Sequence, residues 1–472
     1  MSNTTSGRCH SVVATVLVER GRRAVAHRDR TPWLRDRTPW LVGVSYFAAT
    51  LLRGTGDFRF DAFFYWLGAQ DLLGTIPAGS PEFPWSVRSV LTAVVYTPAA
   101  AFTSVTSDSL APLAVLAQNA AVLAWVAGFL IPMVVRAWRP MSSQARWGTA
   151  ALAWVLLSGF ARYPLVDIYP AIACLALVVL VRSRRWYVLL LGGVVAGVAL
   201  NLRPSYLLAL AGIAIVALLW RGWRGLLLPV GAGLALVPQV AFNAVRYGIA
   251  SALPLDSNAL LGFQTSLATY TVRYDTVFNS NTPQLFYCSP EMAQRLGSEM
   301  PTTTGGFAGT MLENLPTSLG FALEKIGASL HWPLSTPYTI PSPGLDLPFA
   351  LLVTAVSVIG CAILVRRLFL QLRRSYRQLG PDLVALVVLA AGSVLTIVGS
   401  ASESRFALAL VLVGLVGCAS VINTPIRVAW RDHRWAVLVT GALLLGVIAL
   451  GYAGLDSPLP QGVYSVLDCA AL

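Results

Sequence analysis

Long apolar segments alternate with short polar segments along almost the whole chain. Eleven of the apolar segments are close to the roughly 17–25 residues that an α-helix needs to cross a bilayer, and we expect the shorter ones to extend into their flanks. This pattern predicts an all-α integral membrane protein with about eleven transmembrane helices. The predicted spans are residues 40–52, 110–135, 147–160, 165–181, 186–202, 205–220, 226–245, 347–365, 383–398, 406–422 and 435–452.

One further apolar block, residues 87–105, is interrupted by Arg88, Tyr96 and Pro98. If this block also crossed the membrane, the segments after it would change sides, and the basic ones would lie outside, against the positive-inside rule. We therefore expect it to form an interfacial helix on the outer face. With the N-terminus in the cytoplasm, eleven spans leave most of the 34 basic residues inside, and most of the 21 acidic residues and the C-terminus outside.

This topology divides the chain into five parts. The first is a basic cytoplasmic tail that we expect to be disordered and that shows no cleavable signal peptide. Two large segments then lie outside, one inside the seven-span module at residues 53–109 and one after it. The parts are residues 1–39 (tail), 40–245 (seven spans), 246–346 (large outer loop), 347–455 (four spans) and 456–472 (outer tail).

Composition narrows the class of protein. Apolar residues make up 56% of the chain and charged residues 12%, against about 25% charged in soluble domains, which excludes a disordered protein and argues against a soluble enzyme. The net charge of +13 lies between apolar blocks and not on a polar domain, so we expect no nucleic acid partner. Every basic residue except Lys325 is arginine, a bias we attribute to a GC-rich bacterial genome. The bacterial plasma membrane is therefore the expected location.

The cytoplasmic side offers no site for a nucleotide-activated substrate, because no glycine-rich phosphate loop follows a predicted strand. Any chemistry is therefore expected on the outer face, with a substrate that is carried by lipid. The first outer loop contains candidate groups: Asp57 and Asp61 come directly after the first span, and Asp61 opens a helical pattern that Gly74 can end. A carboxylate at the membrane surface can act as a general base for a hydroxyl group. The alternative is that both are solvated acids stabilised by the helix dipole.

The pattern of this loop resembles the first-loop signature of the GT-C superfamily of membrane glycosyltransferases. The nearest likeness is to bacterial family 39-like enzymes, the group of protein mannosyltransferases and lipid A aminoarabinose transferases. Further segments resemble that group in the same order along the chain. The matching segments are Asp61-x-x-x-Tyr65-x-x-x-Ala69-x-x-Leu72-Leu73-Gly74, Asn201-Leu-Arg-Pro204, residues 238–248, Ser257-Asn258, residues 314–333 and Ala401-Ser-Glu-Ser-Arg-Phe406.

The resemblance implies a GT-C fold with interfacial helices in the first outer loop and a large outer loop after the seventh span. It implies a hexosyl- or pentosyltransferase that moves a sugar from a polyprenyl-phosphate donor to a hydroxyl acceptor on the outer face, with inversion. The acceptor would be a cell-envelope glycan, a lipid or a protein. In this interpretation Asp61 is the base, and Asp57 is the second candidate.

Arginine at an outer helix end suits the donor phosphate, because its planar fork binds two oxygens. The candidates for that role are Arg405, Arg88, Arg203 and Lys325, and the alternative for each arginine is snorkelling to the interface. We expect Asp61 and Arg405, far apart in sequence, to converge at the outer end of one lipid-accessible groove. Candidates for orienting these groups or for binding the acceptor are Glu403, Asp167, Tyr65, Asn258 and His331. For Asp167 a salt bridge with Arg162 is an equal alternative.

The sequence predicts no metal site and no cofactor. Asp57 and Asp61 could bind a divalent cation only if other parts of the chain supplied further ligands. Cys288 and Cys469 are the two cysteines predicted to lie outside, and pairing between them is left open. A transporter or flippase of lipid-linked glycans is the alternative function. It predicts ionisable residues at mid-membrane depth and internal repeats, and neither pattern is evident. A glycan polymerase or ligase, and a non-catalytic scaffold, are further alternatives.

Overall fold

A computed structural model of the chain describes residues 36–255, 269–276, 284–296, 304–374, 379–399, 403–422, 426–459 and 466–472. The described part of the chain is mostly helical, with 74% of its residues in helices. Each of the eleven apolar segments of the sequence coincides with a helix. One small antiparallel sheet of two strands is the exception to the predicted all-α fold.

The N-terminal half contains eleven helices among its described residues. Helix α5 continues through one π-helical stretch, Val126–Leu130, into α6. The helices are α1 (Thr38–Leu51), α2 (Phe60–Leu72), α3 (Val90–Val94), α4 (Thr97–Val105), α5 (Ala111–Trp125), α6 (Ile131–Val135), α7 (Ser143–Leu157), α8 (Ile168–Leu180), α9 (Trp186–Leu202), α10 (Leu207–Arg221) and α11 (Leu227–Tyr247).

The C-terminal half begins with a hairpin of strands β1 (Tyr270–Asp275) and β2 (Gln284–Cys288), which lies in the segment predicted to be the large outer loop. A short 3₁₀ turn, Ser404–Ala407, precedes one of its helices and carries part of the site described below. The helices of this half are α12 (Pro290–Leu296), α13 (Thr304–Glu313), α14 (Leu315–Leu330), α15 (Asp346–Arg374), α16 (Pro381–Val398), α17 (Leu408–Ala419), α18 (Ile426–Ala453) and α19 (Val466–Ala470).

Five helical stretches of the described residues are long and apolar enough to cross a membrane. They are Asp108–Val135, Pro204–Tyr247, Asp346–Arg373, Pro381–Val398 and Arg434–Ala453. Three shorter apolar stretches, Ile168–Leu180, Trp186–Leu202 and Ser404–Ala419, accompany them. The chain therefore has the helices of a membrane-embedded protein, and the finer count of eleven spans stays a prediction.

Helix α17 is the centre of the bundle. Eleven of its residues are buried, so it is apolar around its whole circumference, as expected of a helix enclosed by other helices. Gly414 allows α17 to lie close to α15, because a Cβ added at this position would lie 2.7 Å from the Cα of Ser357 on α15. The polar turn that precedes α17 is consequently held inside the bundle, and it cannot move to the surface without breaking this packing.

The first outer loop differs in part from the prediction. Helix α2 forms as expected and is followed by Gly74, which has a φ of +65°. Residues 87–105 were predicted to form a single interfacial helix, and this is wrong: they form two helices, α3 and α4, separated by Val95 and Tyr96. Pro98 in the first turn of α4 has no amide hydrogen and cannot continue a helix from α3, so the chain turns there.

A disulfide fixes the hairpin. Cys288, the last residue of β2, is bonded to Cys469, with a Cα–Cα distance of 6.1 Å. Backbone hydrogen bonds support the same contact, since the amide of Cys288 donates to Ser457 (3.0 Å) and the amide of Leu459 donates to Phe286 (2.9 Å). The pairing that the sequence left open is therefore present, and it ties the C-terminal residues to the hairpin.

Replacing Cys469 with serine is expected to lower the free energy of unfolding of the outer region by about 2–4 kcal/mol, because the cross-link closes a long loop of the unfolded chain. Thermal unfolding in detergent, with and without reductant, measures this effect. The matched control is Cys361→Ser, because Cys361 is a free cysteine. The expectation is contradicted if reductant destabilises Cys469→Ser as much as the native chain.

Candidate active site

Four arginines and four carboxylates form one connected network at the ends of several elements, on the side that the predicted topology places outside. They come from the first outer loop, from the chain before α8 and after α9, from strand β1 and from the 3₁₀ turn before α17. Asp61 and Arg405 are 344 residues apart in the chain, yet an Arg405 nitrogen lies 2.5 Å from an Asp61 oxygen. The eight residues of this charged cluster are Asp61, Arg88, Asp167, Arg203, Arg273, Asp275, Glu403 and Arg405.

The start of α2 positions Asp61. Phe60, the residue before it, has a φ of +49°, a conformation that non-glycine residues rarely adopt. Tyr338 from the large outer loop holds this turn on both sides, because its hydroxyl donates to the carbonyl of Arg59 (2.8 Å) and accepts from the amide of Ala62 (3.2 Å). The carboxylate of Asp61 is therefore directed by a contact between two outer loops.

Both carboxylate oxygens of Asp61 are engaged. Arg88 Nη2 donates to Oδ1, and Arg405 Nη2 donates to Oδ2. Arg88 also donates to the hydroxyl of Tyr65 at 3.0 Å, which places that predicted orienting residue beside the pair. Burial alone would raise the pKa of Asp61, but the guanidinium groups of Arg88 and Arg405 outweigh it and hold the pKa well below its usual range. Asp61 is therefore ionised, and it is a weak base while both arginines hold it.

Arg405 connects three acids. Its Nε donates to Glu403 Oε2, its Nη2 bonds Asp61, and its Nη1 lies 3.7 Å from Asp167 Oδ2. The side chain is only 3% exposed, so the acids and not water balance its charge. The predicted orienting role of Glu403 fits this contact.

The chain after α9 places Arg203 against Asp167. Arg203 is extended because Pro204 follows it and disfavours helical backbone, and this ends α9. Its Nη2 donates to Asp167 Oδ1, and its guanidinium stacks over the ring of Phe406, 4.8 Å from the ring centroid. The alternative salt bridge between Asp167 and Arg162 is wrong, because Arg162 donates to the carbonyl of Thr55 instead, at 2.9 Å.

Sequence analysis did not identify Arg273 and Asp275 of strand β1. Arg273 Nη2 donates to Glu403 Oε1, and its Nε lies 3.8 Å from Asp275. Burial and the neighbouring Glu403 raise the pKa of Asp275. These residues join the cluster only because β1 forms a bridge beside residue 403. That contact spans 130 residues, and no local spacing in the sequence indicates it.

Four predicted site residues are not brought to the cluster by the described structure. Asp57 is 81% exposed and pairs with Arg59 at 3.5 Å, because it precedes α2 on the solvent side. The ring of His331 contacts Tyr452, with 5.5 Å between centroids, at a different cavity. Lys325 is fully buried on α14 and donates to the carbonyl of Val398 at 3.3 Å. Asn258 lies outside the described residues.

The position of Lys325 indicates a structural role. Val398 is the last residue of α16, so the ammonium group lies at the negative end of the helix dipole. Burial lowers the pKa of Lys325 to about 7. The side chain therefore hydrogen-bonds the end of α16, and no salt bridge in the described structure joins it to the four carboxylates of the cluster.

Stability is expected to rise with pH from about 7 to 10.5, because in this range Lys325 is protonated in the unfolded chain and neutral in the folded chain. Lys325→Met removes this titration, so its apparent unfolding temperature is expected to lose that rise. Thermal unfolding across this pH range in detergent measures the difference. An identical pH profile in Lys325→Met would contradict the assignment.

A cavity adjoins the cluster on the side of Arg203. Its empty volume, with the open mouth included, is roughly 280 Å³. Charged groups and hydroxyl groups both line it, and exposed Leu207, Leu208 and Leu395 lie beside it in the chain on α10 and α16. The lining includes Asp167, Arg203, Arg405, Ser205, Ser393 and Thr396. The site therefore combines buried charge with an opening that admits about one water-sized polar group.

No known family and no curated protein matches this chain. Among the residues that the structure describes, no group of three or more histidine, cysteine, aspartate or glutamate side chains is placed to hold a metal ion. The expected absence of a metal site remains a prediction. Any functional conclusion must rest on the geometry of the cluster and its cavity.

Proposed function

We propose that the protein is a GT-C-type glycosyltransferase of the bacterial plasma membrane that moves a sugar from a polyprenyl phosphate to a hydroxyl acceptor on the outer face. The contact between Asp61 and Arg405 carries this proposal. It joins a carboxylate that can take a proton to a cation that can bind a phosphate, beside a cavity in an apolar helical bundle. The eleven-span topology with the N-terminus inside belongs to the same proposal.

The reaction assigns one task to each group. The acceptor oxygen attacks the anomeric carbon, and its proton passes to Asp61. The bond between the anomeric carbon and the phosphate oxygen breaks, and its electron pair leaves with polyprenyl phosphate. Positive charge develops on the sugar and negative charge on the phosphate. Arg405, with Arg88 or Arg203, stabilises that negative charge, because a guanidinium can bind two phosphate oxygens.

The engaged state of Asp61 is consistent with this division of tasks. Four arginines face four carboxylates, so an arriving phosphate competes with the carboxylates for guanidinium groups. When the phosphate draws Arg405 or Arg88 away, the main cause of the low pKa of Asp61 is weakened. Asp61 then becomes a stronger base while the donor is bound.

The depth of the cluster supports a donor that is carried by lipid. Asp167 directly precedes α8, and Val181 at the other end of α8 accepts a hydrogen bond from Arg221 of the predicted inner side. The 13 residues of α8 rise only about 20 Å at 1.5 Å per residue, against a hydrocarbon core of about 30 Å. If α8 crosses the membrane, the cluster lies below the outer surface, where a lipid phosphate can approach from the bilayer.

The test is sugar transfer by the purified protein in lipid nanodiscs, supplied with radiolabelled polyprenyl-phosphate sugars and cell-envelope acceptors. The native chain is expected to transfer label, and Asp61→Asn is expected to lose this activity. Asp57→Asn distinguishes the two candidate bases and is expected to retain activity. Asp108→Asn, an exposed acid of the same outer loop, is the matched control. Transfer that survives Asp61→Asn would refute the proposal.

A flippase of lipid-linked glycans is the second candidate, since a recessed charged cluster also suits the passage of a phosphate. It predicts that lipid movement across the bilayer persists in Asp61→Asn, because no proton needs to be removed from an acceptor. A glycan polymerase or ligase uses the same groups with a lipid-linked oligosaccharide. Comparing single-sugar with oligosaccharide donors separates that alternative.

A further inference from the structure

Among the cluster residues that line the cavity, three polar atoms have no hydrogen-bond partner within the described part of the chain. They are Nη1 of Arg405, Nε of Arg203 and Oδ2 of Asp167. Asp167 is 3% exposed and Arg405 is 4% exposed, so bulk water does not compensate for the missing partners. Buried polar atoms are nearly always hydrogen-bonded in native proteins. All three side chains line the cavity beside the cluster, which indicates that the cavity receives a polar ligand.

The chemistry of these atoms restricts the ligand. Two of them are guanidinium donors, and the third is a carboxylate acceptor. A phosphate diester only accepts hydrogen bonds, so it would leave Asp167 Oδ2 unsatisfied, and a cation would be repelled by the two arginines. A hydroxyl group both donates and accepts. Arg405 Nη1 and Asp167 Oδ2 are 3.7 Å apart, which suits a hydroxyl oxygen that accepts from the first atom and donates to the second.

The lining of the cavity also includes hydroxyl groups of two side chains on α16. The hydroxyl of Ser393 donates to the carbonyl of Leu389 at 2.8 Å, and the hydroxyl of Thr396 donates to the carbonyl of Ser205 at 2.7 Å. Each hydroxyl has used its proton on the backbone, so its free lone pairs can accept from a ligand. The lining therefore presents acceptors to a molecule that carries several hydroxyl groups.

We propose that this cavity binds hydroxyl groups of the sugar carried by the lipid donor, and that Asp167 and Arg203 determine which sugar is accepted. The inference rests on the proposed function and adds to it a sugar-reading subsite. Arg405 lines the cavity and also contacts Asp61. A sugar held here is therefore one guanidinium away from the base, and the phosphate is left Arg88 and the Nη2 of Arg405, the groups that contact Asp61.

Equilibrium binding to the full chain in nanodiscs tests the inference. The probes are decaprenyl phosphate without sugar and decaprenyl phosphates that carry mannose, glucose, galactose or arabinose. The native chain is expected to bind one sugar-bearing probe at least tenfold more tightly than the bare lipid. Asp167→Asn is expected to reduce this preference by about 10-fold or more, as for a lost hydrogen bond to a charged group. The same variant is expected to bind bare decaprenyl phosphate equally or more tightly, because a carboxylate near the arginines is removed.

Asp382→Asn is the matched control, because Asp382 is also a buried acid, but it lies near Arg182 at the other end of the bundle. It is expected to leave the sugar preference unchanged. If Asp167→Asn does not fold, Ser393→Ala serves instead, since it removes one hydroxyl without uncovering a charge. It is expected to reduce the preference by a few-fold.

Three results would overturn the inference. Equal weakening of bare and sugar-bearing lipid by Asp167→Asn would show that Asp167 acts through Arg405 on the phosphate. Equal affinity of the native chain for bare and sugar-bearing lipid would show that the cavity does not recognise sugar, while the lipid-phosphate site would stand. Failure of the native chain to bind any lipid phosphate would instead remove the proposed function, and this inference with it.

Discussion

Asp61→Asn is expected to slow sugar transfer by about 10²–10⁴-fold, the usual contribution of a positioned general base. Asparagine has nearly the same shape and still accepts a hydrogen bond from Arg88 or Arg405, so the loop is expected to keep its structure. The loss should therefore lie in the chemical step. Single-turnover transfer at saturating donor measures that step directly.

The same substitution is expected to keep or raise the affinity for the lipid phosphate, although it lowers the rate of transfer. Asp61 occupies Arg88 and Arg405 in the described structure. Asparagine carries no charge, so both guanidinium groups are freer to bind a phosphate. The affinity for decaprenyl phosphate should stay the same or rise while transfer is lost. If affinity and rate fall together, Asp61 acts mainly by placing Arg405, and the assignment as base is wrong.

Arg405→Ala is expected to damage both stability and activity. The side chain is 3% exposed and balances Asp61, Asp167 and Glu403. Removing one partner of a buried ion pair leaves uncompensated charge and typically costs about 3–5 kcal/mol. Loss of a group that stabilises developing negative charge is expected to cost a further factor of about 10²–10³ in rate. Thermal unfolding in nanodiscs and the transfer assay measure the two effects separately.

The substitution Arg405→Lys separates the effect on stability from the effect on transfer. Lysine keeps the positive charge, so most of the stability should return, but a single ammonium cannot reproduce the fork that contacts three acids. Transfer is expected to remain low. Arg162→Ala is the matched control, because Arg162 is an outer arginine that donates to a backbone carbonyl. If Arg405→Ala is as stable and as active as Arg162→Ala, the central role of Arg405 is refuted.

The candidate list taken from the sequence contained six of the eight residues of the charged cluster. It found Asp61, Arg88, Arg203, Asp167 and the pair before α17 because ionisable residues at the ends of apolar segments are costly there and hence conspicuous. Position along a span is local information. It places a residue near one face of a membrane, but it does not say which residues of that face meet.

The candidates that lie away from the cluster were selected for the same reason. Asp57 and Asp61 are equivalent by position, yet only Asp61 lies on the side of α2 that faces the bundle. Lys325 and His331 lie in the large outer loop of the predicted topology, near the right face. Packing of α14 directs Lys325 to the end of α16 and His331 to Tyr452.

The sequence by itself determined that this chain forms apolar helices and roughly where each one lies, because these properties follow from local apolar length and turn chemistry. Only the tertiary structure decided that Arg273 of β1 reaches Glu403, that Asp61 is held by two arginines, and that Asp167 shares a cavity with hydroxyl groups of α16. These contacts join residues up to 344 positions apart. They depend on how helices and loops pack, and no local pattern encodes that packing.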